Sequence, residues 1–245
     1  MSAIAETRAS LHRQSHRRLQ TSEDVHVVAV DLDEPSDERL LSEDEGERAA
    51  SFHFERDRRR FVAGRSLLRQ RLAQYLDAGP AELVFAYGPH GKPSLPGSGL
   101  SFNVSNSGRA GLFAFASGFE LGVDVELLAH ARPNDDAVAA RFFSAAEVAT
   151  LRAYPAPARA RAFLRCWTRK EAFSKGRGEG LSLPLQDFDV EFAPDEPPAL
   201  LRTAWSSDEP AEWTLRDLSE LVPGAAAALA VRAPEIRVVR CDEIT

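Results

Sequence analysis

Two stretches of this 245-residue chain carry helical spacing, and each lies beside short strand-like runs. In "RDRRRFVAGRSLLRQRLAQYL" (56 to 76) apolar side chains fall at 61, 62, 67, 68, 72, 75 and 76, one stripe of a 3.6-residue period with a basic opposite face. In "ARARAFLRCWTRKEAFSKG" (158 to 176) Phe163, Trp167, Glu171 and Lys175 recur every fourth residue and share a face, and Gly176 is the expected stop. Strands are expected in "VHVVAVDL" (25 to 32), "LSFNVSNSG", "AGLFAFAS" and "LGVDVEL". Each half thus reads as a helix plus a few strands, with a seam near residues 116 to 121 and no simple repeat. The expected class is α+β.

Lesser signals fill in the frame. "LSEDEGERAASF" opens with Ser42 and has Glu45 three residues later, a capping box that starts a helix. "GPHGKPSLPGSG" (88 to 99) is a Gly/Pro loop. One helix is expected over 136 to 152, interrupted after it by Pro155 and Pro157. Beyond it "FDVEF", "EWTLRDL", "AAALAV" and "RVV" read as strands of an antiparallel sheet. The division expected is a flexible tail over 1–22, then units over 23–120 and 121–245.

Charge and cysteine usage exclude several classes. A net charge of −7 argues against bulk nucleic-acid binding. No apolar run is long enough to span a membrane. Two cysteines, Cys166 and Cys241, far from any paired-cysteine motif, fit a reducing cytoplasm. The tail carries Arg8, Arg13, Arg17 and Arg18 against Glu6 alone, which a floppy basic segment or a transit peptide would share.

The candidate chemistry lies in three places. In "GVDVEL" Asp124 and Glu126 stand two apart, so in a strand they face one way while Val123, Val125 and Leu127 face the other. Like charges so close suit either a solvated edge or a divalent cation. On the second helix Glu171 lies on or beside the apolar stripe, with an i,i+4 ion pair to Lys175 as the plainer reading, and Arg169 and Lys170 on flanking, solvated faces. The third element is basic: seven arginines between 56 and 71, with Lys92 in a glycine-flanked loop and two hydroxyls, an amide and a glycine in "NVSNSG" as a phosphate nest.

Taken in order, "GKP", "FNVSNSG", "GVDVE", "FFSAAEVATL" and "WTRKEAFSKGRGEGLSLPLQDFDV" resemble the surfactin-synthetase-activating type of 4′-phosphopantetheinyl transferase, over roughly residues 40 to 192. The resemblance implies a pseudo-two-fold monomer of two similar α/β halves with the active site between them. It implies transfer of the phosphopantetheine arm of coenzyme A to a serine of an apo acyl, peptidyl or aryl carrier protein, releasing adenosine 3′,5′-bisphosphate. It makes Asp124, Glu126 and Glu171 the ligands of Mg²⁺, or of Mn²⁺ in its place. Glu171 would also serve as base, directly or through water, and Lys175 would steady the phosphates. Lys92, Ser105, Asn106 and, more loosely aligned, Arg48, Arg60 and Arg65 would contact coenzyme A. One departure stands out: Asn106 occupies the place of a histidine that helps hold the 3′-phosphate. Asn106→His is therefore expected to tighten coenzyme A binding. The acidic carrier is expected to dock near Phe142 and Phe143 and the edge of the 158–176 helix. The rival readings are a Mg²⁺-dependent phosphohydrolase built on the same acidic trio and a degenerate protein that binds coenzyme A or a carrier without turnover.

Overall fold

The computed structural model describes Leu19, residues 23–131 and residues 135–241. Apart from Leu19, the expected tail over 1–22 lies outside the described residues. The chain runs through β1 (Asp24–Asp31), α1 (Glu43–Ala50), α2 (Glu55–Leu76), β2 (Ala86–Tyr87), β3 (Pro93–Ser94), β4 (Leu100–Ser107), β5 (Ala110–Ser117) and β6 (Leu121–Leu127). It continues with α3 (Asp135–Phe142), α4 (Ala145–Ala153), α5 (Ala156–Arg177), β7 (Phe188–Val190), β8 (Leu200–Thr203), the short α6 (Glu209–Glu212), β9 (Thr214–Asp217), β10 (Ala225–Val231) and β11 (Arg237–Arg240).

Two sheets stack back to back with one long helix on each outer face. The first has the order β11-β1-β5-β4, the second β6-β10-β9. Period-2 alternation decides which residue faces which layer. Along β1 and β5, Val25, Val27, Leu112 and Ala114 point between the sheets, where they meet Val123 and Val125 of β6 and Leu229 of β10. Their neighbours Val28, Phe113 and Phe115 point outward and pack on Leu68 and Leu72 of α2. On the other side Ala228 and Ala230 of β10 and Leu215 of β9 pack on Phe173 and Ala172 of α5. Each such large side chain, fully buried, contributes about 1.5–3 kcal/mol. The α+β class and the pair of similar helix-on-sheet halves follow.

Local chemistry moved several boundaries. The helix expected over 136 to 152 is two helices, because Ser144 caps the second: its Oγ accepts from the N–H of Glu147 at 3.2 Å while its own N–H donates to Glu147 Oε2 at 3.0 Å. α5 runs past Gly176 and stops at Gly178, whose φ of 81° is left-handed. The last four expected strands do not form one antiparallel sheet. β7 pairs with β8 alone, β9 and β10 join β6, and β11 pairs parallel with β1. Residues 237–240 therefore belong to the sheet of the first half.

Candidate active site

The acidic face of β6 lies against α5, and two glycines bring them together. A Cβ on Gly122 would stand 2.1 Å from Ala172 O and 2.3 Å from the N of Gly176. Only the missing side chain allows the helix backbone to rest on the strand. Asp124 and Glu126 follow Gly122 at i+2 and i+4 on the same face, beside Glu171 and Lys175 of the helix. Lys175 Nζ is 2.5 Å from Asp124 Oδ1 and donates to Ser105 Oγ at 3.1 Å. The helical ion pair expected between Glu171 and Lys175 is not made, because the lysine reaches across to the strand.

β4 holds the other side of β6 with side chains instead of a backbone ladder. Asn103 Oδ1 accepts from the N–H of Val123 at 2.9 Å, Ser105 Oγ from Val125 at 3.4 Å and Ser107 Oγ from Leu127 at 3.1 Å. These bonds satisfy the β6 N–H groups that point away from β10. The two serines then donate to the acids: Ser105 to Asp124 Oδ1 and Ser107 to Glu126 Oε2, each at 2.7 Å. Two residues expected in a phosphate nest thus also orient the carboxylates. Asp124 is 3% exposed, which excludes a solvated acidic edge.

The cluster is short of positive charge. Asp124 Oδ2 and Glu171 Oε1 are buried without a hydrogen-bond partner. Burial, then the Asp124 charge, opposed by Lys175 and helped by a lesser push from Glu126, raise the Glu171 carboxyl to about 7. Burial also raises that of Glu126. A set of carboxylate oxygens with two orphaned atoms suits a hard divalent cation. Among the described residues no three acids, histidines or cysteines already form a cation cage; in this conformation the ammonium of Lys175 occupies Asp124 instead.

The acids open into a recess of about 250 Å³ that also touches Trp167 and the exposed Leu181. Through Val104, Ser105 and Asn106 it joins a larger cleft of about 690 Å³ lined by Arg48, Arg56, Arg60, Arg65, Tyr87 and His130. Three of these arginines have their guanidinium groups engaged. Arg60 Nε donates to Asp33 at 2.7 Å, Arg65 pairs with the buried Glu45, and the Arg48 guanidinium lies 5.3 Å from the Phe61 ring centre. Of the ten candidate residues, Arg48, Arg60, Arg65, Ser105, Asn106, Asp124, Glu126, Glu171 and Lys175 line these two spaces. Lys92 does not. Its ammonium turns inward and donates to Leu121 O and Gly176 O, each at 2.9 Å, and burial lowers it to about 8. The glycine-flanked loop is thereby pinned to β6 and α5 of the second half.

Three other expectations change. Arg169 and Lys170 are buried, not solvated: Arg169 donates to Asp217 at 3.1 Å, and Lys170 is 2.8 Å from Glu147 and donates to Leu185 O at 2.8 Å. The helix is covered on those faces by α4 and the segment around β7, which the i,i+4 pattern alone does not reveal. Phe143, expected at a docking surface, is 3% exposed and stacks on Phe163. Asn103 and His130 were absent from the expected site, whereas Ser107 belonged to the expected phosphate nest and Arg56 to the expected basic element. The alternation Asn103, Ser105, Ser107 carried a signal, three polar side chains on one face of a strand, whereas nothing in the sequence points His130 at the cleft.

Known proteins match across this architecture. The model of the 4′-phosphopantetheinyl transferase superfamily matches residues 120–231, and that of the 4′-phosphopantetheinyl transferase N-terminal region matches residues 36–117. The junction between them falls at the turn from β5 to β6. The chain is 39% identical to the 4′-phosphopantetheinyl transferase HetI of a Nostoc species over 86% of its own length and 88% of that protein's. It is 32% identical to the 4′-phosphopantetheinyl transferase Sfp of Bacillus subtilis over 64% of its own length and 68% of that protein's. A relative 39% identical over 86% of the chain, with the helix-on-sheet halves and the acidic cleft they enclose, settles the family: the chain belongs to the 4′-phosphopantetheinyl transferase superfamily and is a transferase of that type.

Proposed function

We propose that this chain moves the 4′-phosphopantetheine arm of coenzyme A onto a serine hydroxyl of an apo acyl, peptidyl or aryl carrier protein, with Mg²⁺ or Mn²⁺ held by Asp124, Glu126 and Glu171. The observation that carries the reading is the pair of orphaned buried oxygens, Asp124 Oδ2 and Glu171 Oε1, at one end of a cleft whose other end is lined by arginines. A nucleotide with phosphates at both ends fits that polarity. Bound metal would supply charge neutralisation on the pyrophosphate.

In the transfer, the serine oxygen bonds to the phosphorus that bears the pantetheine. The bond from that phosphorus to the oxygen bridging the two phosphates breaks, and adenosine 3′,5′-bisphosphate leaves with the electron pair. The serine proton passes to Glu171, directly or through one water. Lys175 meets negative charge beside Asp124, and Ser105 and Ser107 keep the two strand acids in place. Asn106, exposed where the two spaces meet, offers an amide to passing phosphate. The exposed Leu181 and the half-buried Trp167 at the mouth of the recess offer an apolar landing for the carrier. Both walls of the cleft come from one chain, which supports a monomer. Among the described residues no helix is long and apolar enough to cross a membrane, and the buried free thiol of Cys166 fits a reducing cytoplasm.

Glu171→Gln separates this reading from a coenzyme A binder or a hydrolase. The substitution keeps shape and removes the base and a ligand charge. Transfer to carrier is expected to fall by at least about 10²-fold, while coenzyme A still binds. Unchanged transfer would refute the assignment. Release of free phosphopantetheine in place of carrier modification would favour the hydrolase.

A further inference from the structure

The hairpin of β2 and β3 belongs to the first half, yet its tip lies on the second. Two backbone bonds close the tip, Gly88 N–H to Lys92 O and Gly91 N–H to Gly88 O, each at 2.9 Å. Pro89 restricts the backbone before His90, and Gly91 follows it at a left-handed φ of 79°. Lys92 fastens the tip to β6 and α5. From this anchored loop His90 Nδ1 comes within 3.1 Å of Ser182 Oγ, 92 residues further along the chain. Ser182 sits in the turn over 178–183 that leaves α5. Gly178 and Gly180 hold left-handed φ values of 81° and 53°, and a Cβ on Gly180 would meet nothing within 4 Å. A turn built on such glycines has much backbone freedom to lose. Its other hydrogen bonds among the described residues run within it or back to α5: Ser182 N–H to Glu179 O at 3.2 Å, Leu183 N–H to Gly180 O at 3.1 Å, Glu179 N–H to Ser174 O at 3.1 Å, and Arg177 to Glu179. Leu183 is buried and holds one end, while Leu181, 66% exposed, stands on the rim of the acidic recess. The contact of His90 with Ser182 thus ties the rim of the recess to the first half.

We propose that His90 is a positioning residue for the carrier protein: through Ser182 it holds the turn that presents Leu181, and so sets how tightly the serine-bearing surface of the carrier seats on the recess. This rests on the transferase reading above. A serine side chain is short, so its hydroxyl reaches Glu171 only when the carrier backbone comes down onto the rim, where Leu181 and Trp167 offer apolar surface to meet it. A Leu181 already held in place leaves less ordering to be done when the carrier arrives. His90 lines neither the larger cleft nor the recess, so its effect falls on carrier affinity and not on coenzyme A or the chemical step.

The test is steady-state transfer by the full chain, varying apo carrier at saturating coenzyme A and then coenzyme A at saturating carrier. His90→Ala and Ser182→Ala should each raise KM for the carrier about three- to tenfold, the range of one hydrogen bond. Turnover at saturation and KM for coenzyme A should stay within about twofold of the parent protein. The double variant should be no worse than either single one, because both remove the same contact. His90→Asn, whose amide can take the place of Nδ1, should bring the carrier KM back to within about twofold of the parent. Hydrogen exchange at the amides of residues 178–183, measured without carrier, should quicken in both alanine variants and not in His90→Asn. An unchanged carrier KM in the alanine variants, a loss carried by kcat, additive losses in the double variant, or unchanged exchange would each overturn the proposal. If the parent protein modifies carriers and His90→Ala leaves KM as it was, only this proposal falls. If the parent protein modifies no carrier, the transferase reading falls and this one with it.

Discussion

At Glu171 the chain buries a carboxyl beside two others with one lysine to share among them. The cost shows in the direction of its ionisation, raised to about 7 by burial and by Asp124. A carboxyl held above its unfolded value contributes stability at low pH, and that contribution is lost as pH rises from about 4.5 toward 7. Above that window the folded protein carries an uncompensated charge which a glutamine would remove. Glu171→Gln without metal should therefore melt a few degrees higher than the parent protein at pH 8, at roughly 2–4 °C per kcal/mol for a chain of this size. The two should converge near pH 4. Differential scanning calorimetry at both values reads it; an equal or lower melting temperature at pH 8 would contradict the electrostatic account. This residue was legible from its spacing with Trp167 and Lys175, and so were the paired acids of β6. The partner of Lys175 was not, because an i,i+4 neighbour is visible in one dimension and Asp124, reached across two packed elements, is not. Lys170 was misjudged for the same reason.

At the scale of elements, the site depends on how closely α5 rests on β6. Gly122 and Gly176 set that distance, and Ser105 and Ser107 fix the strand from its other edge. Gly122→Ala forces a Cβ into backbone that cannot yield without moving the helix. A loss of about 1–3 kcal/mol is expected, with transfer falling further than the stability loss explains, since Glu171 and Lys175 ride on the displaced helix. Chemical denaturation and turnover measured on one preparation check this; a stable, fully active variant would show that the approach of the helix is not what builds the site. The glycine of "GVDVEL" could be read in the sequence only as part of a motif. Its physical role needs the facing helix. The splitting of the 136–152 helix was legible in principle, since "SAAE" is a capping box like "SEDE" near residue 42, but an unbroken apolar pattern concealed it.

The whole molecule is two helix-on-sheet halves tied by the shared apolar layer between sheets, the side-chain bridge from β4 to β6, the return of β11 to β1, and Lys92. Lys92 reaches from the first half to a carbonyl of β6 and a carbonyl of α5. Lys92→Ala leaves both acceptors without their donor and should destabilise the protein by about 1–3 kcal/mol. Because Lys92 lies outside the cleft lining, coenzyme A affinity measured well below the melting temperature should change little. A large loss of affinity with unchanged stability would return Lys92 to the binding surface, as the sequence resemblance implies. Helix-plus-strand patterning foretold the two halves, but not the β11 crossover. A four-residue strand carries no mark of the partner it will choose, and the parallel pairing with β1 joins residues more than two hundred positions apart.

The central claim is group transfer at the acidic end of the cleft. Intact-mass spectrometry of apo acyl and peptidyl carrier proteins, incubated with this enzyme, coenzyme A and Mg²⁺, tests it most directly. The account predicts a mass gain of one phosphopantetheine group on the carrier, absent when EDTA is added and absent with Glu171→Gln. A carrier that stays unmodified while the enzyme binds coenzyme A, or one modified equally well in EDTA, would contradict it.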